Sequence, residues 1–344
     1  MATNTPGATT TIKGEADVEP ALTQDQWRAL FETMLLGRAL DERMWLLNRA
    51  GQAPFAVSGQ GHEAAQAGLA FACDPERDWL VPYYRDLTMV LHWGISARDV
   101  MLHMLARAAD PNSGGRQMPG HYSSRARRVL SGSSPIATQI PHAVGVAFAS
   151  KARGEDSLVV TCFGDGATSQ GDFHEAVNFA TIYDLPVIFF CQNNGYAISV
   201  PLDKQMGVER VSERAAGYGI PGYTVDGLDA VAVYEVAQEA VARARRGEGP
   251  SLIEAIVRRF QPHSSDDDDR TYRPAEELAD LRSVGPIRTT RARLTEMGVI
   301  DEAWEAEAME RVKQSVNDAT DFAEKSPLPE PDTFARNVFA DSDV

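Results

Sequence analysis

Several features are scarce in this sequence, and each scarcity removes a class of protein. No apolar run approaches the roughly 20 residues that a membrane-spanning helix needs. The opening stretch, MATNTPGATTTIKGEADVEP, holds no arginine and three acids. It lacks the apolar core of a signal peptide and the arginine bias of a transit peptide. A disordered tail over residues 1–22 and a cytoplasmic location are therefore expected. Cysteine is rare too: Cys73, Cys162 and Cys191 are odd in number and widely spaced. They read as small buried hydrophobes in a reducing compartment, not as a disulfide framework. Positive charge is outnumbered, with 33 Lys and Arg against 49 Asp and Glu, a net charge of −16. So acidic a chain repels nucleic acid and anionic membrane, and neither is an expected partner. No His/Cys cluster has zinc-ligand spacing, no GxSxG nucleophile elbow occurs, and no internal repeat is visible.

What remains is a chain long enough for a sizeable core, with 344 residues of which 43% are hydrophobic. Trp27, Leu30, Phe31, Met34 and Leu35 recur at helical spacing, with Thr23 as N-cap and Gly51 as stop. A second helix is expected from about His62 to Ala72. A third begins after Ser96 and ends near Asp110-Pro111. Residues 111–135 are rich in Gly, Ser, Pro and Arg without periodicity, a length of loop that usually serves a function or is disordered. A closely packed, buried helix is expected over 137–149. Then the period changes. Leu158–Cys162, Pro186–Cys191, Tyr223–Val225 and Leu252–Val257 read as strands, and helices are expected between them, including an amphipathic one over 229–246. Strands written as continuous apolar runs alternating with helices predict an α/β fold, a doubly wound parallel sheet with helices on both faces. The expected division is a tail (1–22), an α/β domain (23–275), and a C-terminal helical region with an acidic tail (276–344).

Ligands of an open parallel sheet bind beyond the carboxyl ends of its strands. Three of these ends carry polar groups: Gly164-Asp165-Gly166, Gln192-Asn193-Asn194-Gly195-Tyr196, and Gln261-Pro262-His263-Ser264-Ser265 followed by four aspartates. Asp165 supplies a hard anionic oxygen and Asn194 a neutral amide oxygen. Few protein oxygens on one edge suit Mg²⁺, which keeps waters and ligand phosphates in its shell. The glycines let backbone approach a phosphate. A metal bridging to a diphosphate is the expected occupant. Asn194-Gly195 could instead form a hairpin turn, but the parallel-sheet pattern argues against it. His62, His121 and His142 each read equally well as structural side chains.

Gly164-Asp165-Gly166 and Asn193-Asn194, with 26 residues between Gly166 and Asn193, resemble the thiamin diphosphate motif. The resemblance widens to GHEAAQ (61–66), PYYRD (82–86), GRQMPGHYS (115–123), SSPIATQIPHAVG (133–145), FFCQNNGYAIS (189–199) and HSSDDDDRTYR (263–273). Over roughly residues 25–335 the chain is similar to the α subunits of the decarboxylating component of 2-oxo acid dehydrogenase complexes, and most similar to the branched-chain type. The resemblance implies a thiamin diphosphate-binding fold with N- and C-terminal helical extensions. It implies Asp165, Asn194 and the Tyr196 carbonyl as Mg²⁺ ligands. Tyr84, Arg85 and His263 would reach the diphosphate, with backbone contacts from Gly166 and Ala167. The backbones of Ser134 and Ile136 would hold the aminopyrimidine ring. Ser133, Pro135, Thr138 and Gln139 match a K⁺ site that orders this loop.

Two departures from the family pattern stand out. Gln192 stands where animal branched-chain subunits have an arginine that meets the diphosphate, so this candidate cofactor-binding residue would offer the diphosphate only neutral donors. Ser264 matches a regulatory phosphorylation site of mitochondrial relatives, a control not expected without a transit peptide. The implied reaction is oxidative decarboxylation of a 2-oxo acid such as 3-methyl-2-oxobutanoate, with the acyl group passed to a lipoyl arm, within branched-chain amino acid catabolism. His263 is the candidate for proton or acyl transfer, and Phe55 a candidate for the acyl pocket. No sequence signal marks the glutamate that activates the cofactor; in the family it belongs to the β subunit. A heterotetramer of two α and two β subunits is implied, docked by a lipoyl acyltransferase. The alternatives are a pyruvate or acetoin dehydrogenase α subunit, and a cofactor-binding but catalytically idle regulatory subunit.

Overall fold

Thr23 opens the first helix of the computed structural model, which describes residues 22–280, 284–333 and 335. Its hydroxyl accepts from the Gln26 amide while the Gln26 side chain accepts from the Thr23 amide, a reciprocal cap on α1 (Gln24–Arg49). There follow α2 (Glu63–Ala70), β1 (Trp79–Val81), α3 (Leu87–His92), α4 (Ala97–Met104) and α5 (Gln139–Ala152). The α/β core continues with β2 (Val159–Gly164), α6 (Gly171–Ile182) and β3 (Val187–Asn193). Two short strands, β4 (Tyr196–Ala197) and β5 (Val200–Pro201), form a small antiparallel ribbon. Then come α7 (Ala215–Tyr218), β6 (Gly222–Asp226), α8 (Ala230–Arg245) and β7 (Ser251–Ile256), and finally α9 (Ala275–Asp280), α10 (Pro286–Glu296) and α11 (Glu302–Lys325). The tail expected over 1–22 lies outside the described residues apart from Leu22, as does nearly all of the chain after Thr333.

Five strands make one parallel sheet in the order β1-β2-β3-β7-β6. Its central strands are buried on both sides, which is why they read as unbroken apolar runs. Alternate residues still serve opposite cores. Val159, Phe163, Val187 and Phe189 pack under α5 and α6. Val160, Cys162, Ile188 and Phe190 pack toward α2, α3 and α8. A third cluster joins α1, α2, α8, α10 and α11. Val316 and Ala319 of α11 also enter the core shared with β2 and β3.

Some expectations are corrected. The helix capped by Ser96 stops at Met104, not near Asp110, because Ala106 turns the chain with a left-handed φ of 50°. The 137–149 segment is helical but not buried all round, since His142, Gly145, Phe148 and Ala149 face outward. The edge strand β1 and the β4–β5 ribbon had no place in the sequence reading; three and two residues are too short to show a period. Asn194-Gly195 makes no hairpin turn within the sheet, because β3 pairs with β7 in parallel. Among the described residues no helix is long and apolar enough to cross a membrane.

Candidate functional site

Helix α5, between β1 and β2, and helix α6, between β2 and β3, cover one face of the sheet, whereas α8, between β6 and β7, covers the other together with α2 and α3. The winding therefore reverses between β3 and β7, and the carboxyl ends of β2, β3 and β7 border the resulting crevice. Register places Gly164 beside Gln192 and Asn193 beside Ile256. The three polar segments expected at strand ends thus meet on one edge.

Asp165 is 1% exposed at the turn after β2. Its Oδ1 accepts the Asn194 amide at 3.3 Å and its Oδ2 accepts Gln205 Nε2 at 2.9 Å. Burial raises this carboxyl above its ordinary range, and those hydrogen bonds and the nearby Arg259 charge oppose the rise. A buried carboxylate facing amides alone is a site a small cation would relieve. Asn194 accepts the Tyr196 amide through Oδ1 at 3.2 Å. Its neighbour Asn193 serves the sheet instead, donating to the buried Glu254 at 2.7 Å. Gly166 is required by approach: a Cβ there would lie 2.7 Å from the Ala197 Cβ. No group of three or more His, Cys, Asp or Glu among the described residues could hold a metal. The expected Mg²⁺ set needs none, having one carboxylate, one amide and one carbonyl.

Arg85, only 2% exposed, bridges the first helical layer to the loop after β7. It donates to Ser58 O at 2.6 Å and to His263 O at 3.0 Å, with His263 Nδ1 at 3.1 Å. Its guanidinium lies 5.1 Å from the Tyr84 ring centre, and Tyr84 meets the His263 ring edge-on at 6.1 Å. Tyr84, Arg85 and His263 are thereby brought together. Burial, then Arg85 and Arg259, lowers the His263 pKa to about 4, so the imidazole is a neutral base at pH 7. Arg259 was missed by the sequence reading. It is 1% exposed, donates to Ile198 O at 3.0 Å and to Tyr272 Oη at 2.6 Å, and its Nε has no partner among the described residues. These buried cations give the crevice a positive field inside an acidic protein, which fits a diphosphate.

Gln192 does not face open space. It is fully buried and donates to Asp86 at 2.6 Å. Its oxygen meets Gln66 Nε2 and His62 Nδ1, both at 2.9 Å. It braces the floor beside Arg85, which separates it from the direct ligand role considered above. Gln205 was also missed; nothing in its local pattern reveals that it reaches Asp165, 40 residues away.

In the loop before α5, Ser134, Pro135 and Ile136 are exposed and Ser133 is half-buried. Ala137 holds a left-handed φ of 72°, strain of the kind stored at functional loops. Gln139 is buried, donates to Cys162 O at 2.8 Å, and leaves Oε1 without a partner among the described residues. Thr138 Oγ1 lies 3.5 Å from Asp172. The Gln139 amide oxygen and the Thr138 hydroxyl are neutral oxygen donors of the kind a monovalent cation takes. Ala167 is buried at the Asp165 turn, where Thr168 Oγ1 closes onto Asp165 O at 2.7 Å. Phe55 is half-buried between α1 and α2; its neighbour Ala56 pairs with Ser265, joining this loop to the one carrying His263.

A doubly wound parallel sheet with a buried carboxylate, paired amides and buried arginines at its switch point places the chain among α/β proteins whose ligand crevice lies at the carboxyl edge of the sheet. Residues 31–332 match the dehydrogenase E1 component family, and the chain belongs to it. It is thus a thiamin diphosphate-dependent 2-oxo acid dehydrogenase α subunit, a class that works with a β subunit. The 2-oxoisovalerate dehydrogenase subunit alpha of Bacillus subtilis is 51% identical over 93% of this chain and 97% of the relative. A pyruvate dehydrogenase E1 component subunit alpha of Staphylococcus aureus is 38% identical over 90% of this chain and 81% of its own. The 3-methyl-2-oxobutanoate dehydrogenase subunit alpha of Mycobacterium tuberculosis is 38% identical over 93% and 84% respectively.

Proposed function

We propose that this chain is the α subunit of a branched-chain 2-oxo acid dehydrogenase acting on 3-methyl-2-oxobutanoate, in a heterotetramer of two α and two β subunits. The observation that carries the reading is the convergence of Asp165 with Asn194, and of Arg85 with His263, at one sheet edge. The names of the Bacillus and Mycobacterium relatives support the branched-chain acid. When bound, thiamin diphosphate supplies a carbon nucleophile and an electron sink for decarboxylation. Asp165, Asn194 and the Tyr196 carbonyl would hold Mg²⁺. Arg85, with Tyr84 and His263, would hold the diphosphate, and Gly166 and Ala167 would offer backbone amides. Ser134 and Ile136 would orient the aminopyrimidine through their backbones. K⁺ would sit among Ser133, Pro135, Thr138 and Gln139.

His263, neutral and held by Arg85, can accept or return a proton during acyl transfer to a lipoyl group. Phe55 would line the acyl pocket. A lipoyl acyltransferase would take the product, and the three free cysteines suit a reducing cytoplasm. The test is dye reduction by the chain co-expressed with a β subunit. 3-Methyl-2-oxobutanoate, pyruvate and acetoin are compared with and without thiamin diphosphate and Mg²⁺. The highest cofactor-dependent rate is expected with 3-methyl-2-oxobutanoate. A higher rate on pyruvate or acetoin would overturn the substrate. Tight cofactor binding without turnover on any would make the chain an idle binding subunit.

A further inference from the structure

Asp110 follows α4 and organises the loop after it. It accepts the amides of Asn112 at 3.0 Å and of Ser113 and Gly115 at 3.1 Å, and it meets His103 Nδ1 at 3.1 Å. His103 is 1% exposed. A carboxylate only accepts, so His103 carries its proton on Nδ1 and leaves Nε2 as an acceptor. That acceptor receives the backbone amide of His121 at 3.3 Å. The His121 ring follows the same logic. Its Nδ1 faces the Met118 carbonyl at 2.9 Å and must donate, so its Nε2 accepts. Ser134 Oγ lies 2.7 Å from that Nε2 and donates to it. Two tautomers are thus set by their partners, and a chain of contacts links Asp110 to Ser134 through His121, whose backbone amide donates to His103 and whose ring accepts from Ser134.

The end of that chain is otherwise loose. Among the described residues, the Ser134–His121 bond is the one hydrogen bond tying residues 133–136 to the rest of the protein. The loop is exposed and strained at Ala137. The other flank of His121 is rigid: Gly120 has φ of 88°, and a Cβ there would lie 2.9 Å from Tyr84 O. His121 therefore stands between a segment packed on Tyr84 and a loop with no other anchor. We propose that His121 is a positioning residue that holds the 133–136 loop in its ring-binding shape through the Ser134 hydroxyl. This rests on the proposed cofactor site, in which that loop's backbone receives the aminopyrimidine.

The test uses the chain assembled with its β subunit, in Mg²⁺, and titrates thiamin diphosphate by tryptophan fluorescence. Tryptic cleavage at the exposed Arg125 and Arg127 is followed beside it. His121→Phe keeps an apolar ring and removes the acceptor. His121→Gln restores an acceptor at a similar reach. Ser134→Ala is a small change at an exposed position and should fold in any case. Loss of one hydrogen bond predicts a roughly three- to tenfold weaker cofactor affinity for His121→Phe and Ser134→Ala. The double variant should be no worse than either single one. His121→Gln should recover most of the loss, and cofactor protection from trypsin should track affinity. In turnover the loss should fall more on KM for the cofactor than on kcat. Additive losses, or unchanged affinity in Ser134→Ala while the unaltered protein binds, would overturn the role of His121. Failure of the unaltered protein to bind thiamin diphosphate would overturn the cofactor reading itself.

Discussion

His62 is fully buried against Gln192, and its Nε2 has no partner among the described residues. Burial first, then the Arg85 charge, lowers its pKa to about 3. The unfolded chain therefore takes up a proton below about pH 6.5 that the folded chain refuses. Stability should rise with pH across that window and be lost as pH falls through it. His62→Gln should flatten the pH dependence of urea unfolding between pH 4 and 6 by about 1.4 kcal/mol per pH unit. Parallel curves for the two proteins would mean that the imidazole is not held neutral. Asp165→Ala should abolish Mg²⁺-dependent thiamin diphosphate binding and leave the unfolding temperature close to normal. Normal activity and Mg²⁺ dependence in that variant would sink the metal assignment. The motif made Asp165 and Asn194 legible because both lie at strand ends a fixed distance apart. Gln192 was legible only as a departure. Its partners Asp86, Gln66 and His62 come from distant segments, and no local pattern announces them.

At the scale of elements, caps and glycines carry clear expectations. Asp229 accepts the amides of Val231 at 2.9 Å and Ala232 at 3.3 Å and so starts α8. Asp229→Ala should lower stability by about 1 kcal/mol in thermal or urea unfolding. Gly61 has φ of 97°, and a Cβ there would stand 1.7 Å from Arg258 O. Gly61→Ala should cost more than about 3 kcal/mol, or prevent folding, because backbone must move against backbone. A fully stable Gly61→Ala protein would mean that this loop packs differently. The strands β2, β3, β6 and β7 were legible to within two or three residues from their apolar runs, whereas β1, β4 and β5 were too short to show. The end of α4 was not, because Ala106 reverses the chain without any glycine or proline to mark it.

At the scale of the whole molecule the proposed assembly makes the chain one part of an active site. The described residues give the cofactor region no acidic side chain beyond Asp165 that the proposed chemistry uses. The isolated chain should therefore show no cofactor-dependent turnover, and adding a β subunit should restore it; turnover by the chain alone would contradict the shared site. The sequence by itself determined the parallel sheet, its covering helices and the Asp165–Asn194 motif. Each follows from short-range order: a period of two or 3.6, a cap, or a turn at a strand end. Tertiary structure decided the rest. It set Asn193 on Glu254 and Asn194 by Asp165, joined Gln205 to that same carboxylate, and buried Arg259 beside His263. It also linked His121 to Ser134. Those partners are chosen by which faces pack together, and packing brings together residues whose separation along the chain follows no rule.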